Sequence, residues 1–206
     1  MEFLKKTLVI GFFLGTYLTI QAQDQKTIQE AFTKSYALET NKKYTEAIDA
    51  LKLLNANENY PVQLRLGWLS YSNKKYAESV AYYTKAASLM PASIEAFLGM
   101  ANPLAAQNKW VELEQNYLNI LKNDPKNSTI NFRLGQIYYN RKEYSKAEKY
   151  FSASLNLYPF DYDSMLMSGW NYYFLGKYSE AKELFNRVLL YNPSDASAKE
   201  GIGLIK

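Results

Sequence analysis

The sequence predicts an all-α solenoid: about five helical hairpins stacked in a row and closed by a C-terminal helix. Three observations predict it. An aromatic residue recurs at Tyr44, Tyr76, Trp110, Tyr144 and Tyr178, and the last three intervals are all 34 residues, a period that belongs to stacked helix-turn-helix units. Proline recurs at the same interval, at Pro91, Pro125, Pro159 and Pro193. No segment carries the period-2 alternation and turn signals of a convincing strand.

Taken in chain order, the first element is an export signal over residues 1–22. Lys5 and Lys6 precede an apolar run from Leu8 to Ile20, and Gln21-Ala22-Gln23 offers a small residue for cleavage after Ala22. The run is shorter than the roughly 20 residues a spanning helix needs, so a membrane is met only through an uncleaved signal. The Ala-Gln ending resembles those of exported Bacteroidetes proteins, which implies the periplasm or cell surface of a Gram-negative bacterium.

Residues 23–206 form the repeat domain. Aligned on the aromatic cadence it divides into units at 28–59, 60–93, 94–127, 128–161 and 162–195, the first two residues shorter than the others. Each holds an apolar helical pattern, a break rich in Asn, Lys and Gly, a second helical pattern and a stop. The prolines supply the stops, because proline cannot continue a helix and biases its predecessor toward extended backbone. Charge runs such as Asn41-Lys42-Lys43 and Asn73-Lys74-Lys75 fall in the breaks and read as solvated connectors. Asp161 and Asp163 stand where a helix begins and read as caps rather than as paired catalytic acids. Past Pro193, Ser194-Asp195 can cap a last helix over 196–206 that covers the final apolar edge. Gly201 and Gly203 predict that it is weak and frayed.

Within the units, residue types recur at fixed offsets. Leu66-Gly67, Leu134-Gly135 and Ser168-Gly169 fall in first helices; Ala47, Ala147 and Ala181 open second helices; Tyr83, Tyr117, Phe151 and Phe185 follow. Small residues let helix backbones approach, and aromatics fill the gaps between them. One hairpin cannot bury its apolar face alone, so each must dock on the next. This pattern, carried over about 170 residues, resembles the tetratricopeptide repeat family. The resemblance implies a right-handed α-solenoid whose first helices line a concave surface. The third unit departs from the pattern: Asn102-Pro103 interrupts its first helix, where an interior proline costs about 3 kcal/mol, and Leu113 replaces the expected Ala. A kink or splayed hairpin is expected there, dividing the array into a pair of repeats on each side.

Composition narrows function by exclusion. The 206 residues include no cysteine and no histidine, which removes thiolate nucleophiles, imidazole bases and nearly all zinc and copper ligation. No Gly-rich phosphate loop follows a strand. The net charge of +4 is spread among interspersed Lys and Glu rather than gathered in the basic stripe nucleic acid demands. No catalytic residue, metal, cofactor or nucleic-acid partner is expected.

The resemblance implies that the fifth, ninth and twelfth positions of each first helix face a groove. Here these include Tyr36; Trp68 and Tyr71; Asn102; Gln136 and Tyr139; Trp170 and Tyr173. Phe32 and Phe132 also hold such positions but are expected to pack between helices. Arg65 and Arg133 lie beside the stripe and could pair with a carboxylate. The Lys and Asn with which some members grip chaperone C-termini are absent. The expected function is a non-catalytic envelope adaptor holding a peptide or partner protein in an aromatic groove. Two alternatives stay open: carbohydrate or small-ligand binding by the same groove, and a structural subunit that docks through the C-terminal helix.

Overall fold

The computed structural model describes residues 25–205; the expected signal at 1–22 lies outside them. The described residues are helical with no strand. Helix α1 spans 25–40, followed by α2 (Tyr44–Lys52), α3 (Tyr60–Ser72), α4 (Tyr76–Leu89), α5 (Glu95–Ala106) and α6 (Trp110–Asn123). Then come α7 (Ser128–Asn140), α8 (Tyr144–Leu157), α9 (Tyr162–Phe174), α10 (Tyr178–Tyr191) and α11 (Ala196–Leu204). None of these is long and apolar enough to cross a membrane. The chain forms two compact units, one ending at Met90 and the other beginning at Pro91.

Each hairpin turns by the same backbone device. One residue past the first helix's C-cap enters the left-handed region: Lys42 (φ 58°), Lys74 (60°), Asn108 (56°), Lys142 (61°) and Gly176 (73°). The next N–H then donates to the carbonyl five residues back, as from Lys75 to Ser70 at 2.8 Å and from Lys177 to Tyr172 at 2.9 Å. This closure satisfies carbonyls that a helix end leaves free. The lysine-rich connectors are solvated, as expected, but they also carry this backbone constraint.

The second helices begin without a side-chain cap, their starts set by the closure just before them. Four of the first-helix positions are capped instead: Asn59, Asn127, Asp161 and Asp195 accept from the N–H three residues on. Asp161 is therefore a cap, as its position suggested. At the other end of each longer hairpin, the residue before proline is extended, with φ of −135° at Met90, −134° at Asp124, −129° at Tyr158 and −133° at Asn192. Proline ring sterics impose that conformation.

Packing within the hairpins depends on the recurring small residues. Ala47, Ala147 and Ala181 are fully buried. A Cβ built on Gly135 would sit 2.5 Å from the Phe151 ring, and Gly67 and Gly169 meet Tyr83 and Phe185 in the same way. In the first unit, Ala47, Ile48, Leu51, Val62, Leu66 and Leu69 form one core. In the second, Met165, Ala181, Leu184, Phe185, Val188 and Ala198 form another. The last of these comes from α11, and Gly201 of the same helix lies so close to Phe185 that a Cβ would meet the ring at 2.3 Å. Gly201 thus allows close docking of α11, whereas Gly203 of the same helix faces open space.

The third hairpin departs from the others, though not as a divider between two pairs. Helix α5 runs through buried Pro103 without a break, and its hairpin belongs with the fourth and fifth in the second unit. It is nonetheless splayed: α5 and α6 approach less closely than the paired helices of the second, fourth and fifth hairpins. The cause is steric. Ala101 stands where those hairpins have Gly67, Gly135 and Gly169, and buried Leu113 stands where the fourth and fifth have Ala147 and Ala181.

Candidate functional site

In the first unit, α1 and α3 bring Tyr36, Arg65 and Trp68 around a single carboxylate. Arg65 is only 7% exposed, and its Nη2 lies 2.6 Å from Glu39 Oε2. That charge contact is not an aligned hydrogen bond, since Nη2 has no geometric acceptor; the aligned bond is from Nε to Ser35 Oγ, at 3.2 Å. The Tyr36 ring covers the guanidinium, with its centroid 3.8 Å from Cζ, a cation–π contact. Trp68 Nε1 donates to the other Glu39 oxygen at 2.6 Å. Arg65 therefore already holds a carboxylate, supplied from within the chain. Tyr36 and Trp68 remain 54% and 45% exposed, and Tyr71 leans on Trp68 and Tyr76 with centroids at 6.2 and 5.9 Å.

In the second unit the splayed hairpin opens a cleft of ≈ 580 Å³ between α5, α6 and α7. Three expected site residues meet there: Asn102 from α5, Arg133 and Gln136 from α7. Arg133 Nη1 donates to Gln136 Oε1 at 3.1 Å, one turn along the same helix. Ala105, Leu113 and Ile137 give the cleft apolar surface, and Trp110, a residue 49% exposed, closes one side. Trp110 belongs to the aromatic cadence that reads as scaffold in the sequence. Its only distinguishing sign there is that it is the one Trp in a series of Tyr. Tyr117, beneath the cleft, has its phenol pKa raised by burial, against a lowering influence from Arg133.

At the cleft's rim, Glu114 of α6 accepts from the Tyr138 hydroxyl and from Arg141. Burial works to raise the Glu114 pKa, but these two hydrogen bonds and the Arg141 charge outweigh it and hold the carboxyl below its ordinary range. The same arrangement pushes the Tyr138 phenol well up, through burial first and then the bond to Glu114. No Asp or Glu lines the cleft itself.

The remaining expected residues lie apart from it, within a ring cluster at the end of the array. Tyr139 stands edge-on to Tyr144 at 5.6 Å and to Phe174 at 6.0 Å, and burial, then Tyr144, raises its pKa. Trp170 packs edge-on to Phe185 at 5.2 Å and donates from Nε1 to Ser197 Oγ on α11 at 2.8 Å. It thereby helps to dock the last helix. Tyr173 sits between Trp170 and Tyr178. Half-exposed Phe174, which stacks on Tyr144 at 4.9 Å, was not foreseen, because it follows the position the repeat pattern marks. Among the described residues, no group of three acidic side chains gathers as a metal site would need.

Consecutive helical hairpins with small residues at most of their crossings define a repeat scaffold. Models of the tetratricopeptide repeat match residues 60–93, 128–161 and 163–195. The chain is a tetratricopeptide repeat protein. Among solved structures it is similar to a tetratricopeptide repeat protein from Parabacteroides merdae ATCC 43184, with TM-score 0.71 and 23% identity over 85% of this chain and 71% of that one. It is similar to the MamA protein, with TM-score 0.70 and 18% identity over 84% and 95% of the two chains. It is also similar to YrrB, described as a TPR protein with an unusual peptide-binding site, with TM-score 0.69 and 14% identity over 88% and 98%. At these identities the likeness is one of fold. No curated protein matches the sequence. As a class, such repeats are protein-interaction scaffolds.

Proposed function

We propose that this protein is a non-catalytic adaptor of the cell envelope that holds a peptide segment or partner protein on its first-helix surface. The observation that carries this reading is the cleft of the second unit, where Asn102, Arg133 and Gln136 converge with exposed Trp110. An apolar pocket with a few convergent polar groups is the usual form of a ligand site, and Trp and Arg are residues on which binding energy concentrates once a partner buries them. The exposed rings of Tyr36 and Trp68 give the first unit a contact surface of its own. The peptide-binding site of YrrB supports a peptide as occupant by analogy of fold. The envelope assignment draws on the basic-apolar segment at residues 1–22.

Affinity capture from an envelope extract tests the function, comparing the wild type with a Trp68→Ala, Trp110→Ala double variant. Both indoles are half exposed, so folding should survive, as circular dichroism would verify. Partners are expected to be lost from the variant; an unchanged set of partners would overturn the surface assignment. Mass spectrometry of the secreted chain, expected to begin at Gln23, tests export, and a retained Met1 would argue against cleavage.

A further inference from the structure

The repeat geometry allows one first-helix contact to be compared with its counterpart two repeats later. Arg133 is 68 residues after Arg65, and Gln136 is 68 after Trp68, so each pair shares one repeat position. In the first unit both side chains of that pair point at Glu39: Arg65 lies 2.6 Å from one carboxylate oxygen and Trp68 donates to the other at 2.6 Å. Because the first repeat is two residues short, the counterpart of Glu39 is Ala105. Ala105, Arg133 and Gln136 all line the cleft of the second unit.

Resting on the adaptor reading above, we propose that this cleft takes a side-chain carboxylate from an acidic peptide, seated against Arg133 and Gln136 as Glu39 is seated against Arg65 and Trp68. Charge complementarity favours it. Arg133 donates to a neutral amide oxygen, which leaves most of the five donors of a guanidinium for a partner. Glu114, at the cleft's rim, is already held by Tyr138 and Arg141. Gln136 offers its Oε1 to Arg133, so its amide N–H bonds can be donated to a bound oxygen, as the Trp68 indole N–H is. A planar guanidinium binds a carboxylate through two parallel bonds.

The cleft also states what must flank that carboxylate. Leu113 and Ile137 give apolar surface and Trp110 an exposed ring face, which suits one bulky apolar side chain. Asn102 and Asn140, on opposite helices of the cleft, carry amides able to pair with peptide backbone. At ≈ 580 Å³ the space matches a short segment rather than a folded surface. The partner is therefore an extended peptide with acidic residues beside a bulky apolar one.

The test uses blocked decapeptides, acetylated and amidated so that no terminal charge contributes, titrated into the purified chain while fluorescence anisotropy is followed. One peptide carries Glu on both sides of a central Phe, the second has Gln for Glu, and the third has Gly for Phe. The Glu-Phe peptide should bind at least tenfold more tightly than either of the others, and raising the salt from 50 to 500 mM should weaken it. Arg133→Gln should reduce its affinity to that of the Gln peptide. Ala105→Glu should abolish binding while raising the melting temperature, since it rebuilds the contact that Glu39 makes. Equal affinity for the Glu and Gln peptides, failure of all three to bind, or undiminished binding by the Ala105→Glu protein would overturn the proposal. If partner capture still depends on Trp110 in that case, the adaptor reading stands and the carboxylate assignment alone falls.

Discussion

Replacing Gly135 with alanine sets two known effects against each other at one atom. In the middle of helix α7, alanine is favoured over glycine by about 1 kcal/mol of intrinsic propensity. The added Cβ, however, would lie 2.5 Å from both Cδ1 and Cε1 of Phe151, whereas carbon atoms pack at about 3.5–4.0 Å. The ring would have to retreat by about 1 Å. It has little room to do so: Phe151 is 1% exposed, with Phe132 at 5.8 Å and Tyr139 at 6.4 Å between ring centres. Overpacking of this kind costs about 2–3 kcal/mol, so the net loss should be about 1–2 kcal/mol, a fall of roughly 2–8 °C in melting temperature for a chain of this size. Gly203→Ala is the control, because its Cβ meets nothing within 4 Å and the propensity gain acts alone. Thermal and urea unfolding followed by circular dichroism should move the two variants in opposite directions. A Gly135→Ala protein at least as stable as the wild type would refute the packing account of the recurring glycines.

Three further outcomes are expected. Lys142→Gly should stabilise the fourth hairpin by about 0.5–1 kcal/mol in urea unfolding, since Lys142 holds φ at 61° and left-handed backbone is strained for a residue with a Cβ; a destabilised variant would show the turn is not under strain. Arg65→Met should cost about 1–3 kcal/mol in the same assay, because it leaves Glu39, 22% exposed in its side chain, without its cation; partial solvation of Glu39 keeps this below the figure for a fully buried pair. The Asp195 carboxyl is held below its ordinary pKa by hydrogen bonds from the Tyr162 hydroxyl and the Ala198 N–H. A depressed folded pKa means that the stabilisation is present above the unfolded pKa of about 3.9 and lost as pH falls through the folded value. Asp195→Asn keeps a cap but removes that dependence, so hydrogen exchange in α11 should become less sensitive to acid; an unchanged acid response would refute the linkage.

Much of the fold is legible in the sequence because it is local and periodic. The 34-residue spacing of Tyr76, Trp110, Tyr144 and Tyr178, and the prolines in step with it, report where helices turn and stop. The caps at Asp161 and Asp195 were legible for the same reason: a cap is set by residues within one turn of it. The candidate site was legible only as a set of positions. Arg65 and Arg133 look alike in sequence, yet one faces Glu39 and the other a cleft containing Ala105, a difference that lies on the neighbouring helix. Trp110 reads as one more mark of the cadence until it is seen to line the cleft. Trp170 reads in sequence only as a groove position; the bond from its indole to Ser197 on α11 is visible only in the fold.

The sequence alone thus determined the repeat class, the number and order of the hairpins and the absence of thiol and imidazole chemistry, because period, composition and turn residues act within a hairpin's own length. Only the tertiary structure decided which of two equivalent arginines is satisfied internally, which aromatics bond to a neighbouring helix, and that a cleft lies at the third hairpin. Those outcomes depend on contacts between successive helices, where one methyl group at Ala101 and the larger side chain of Leu113 change the spacing of backbones across a whole hairpin. Close-packed interiors transmit such changes rather than absorb them.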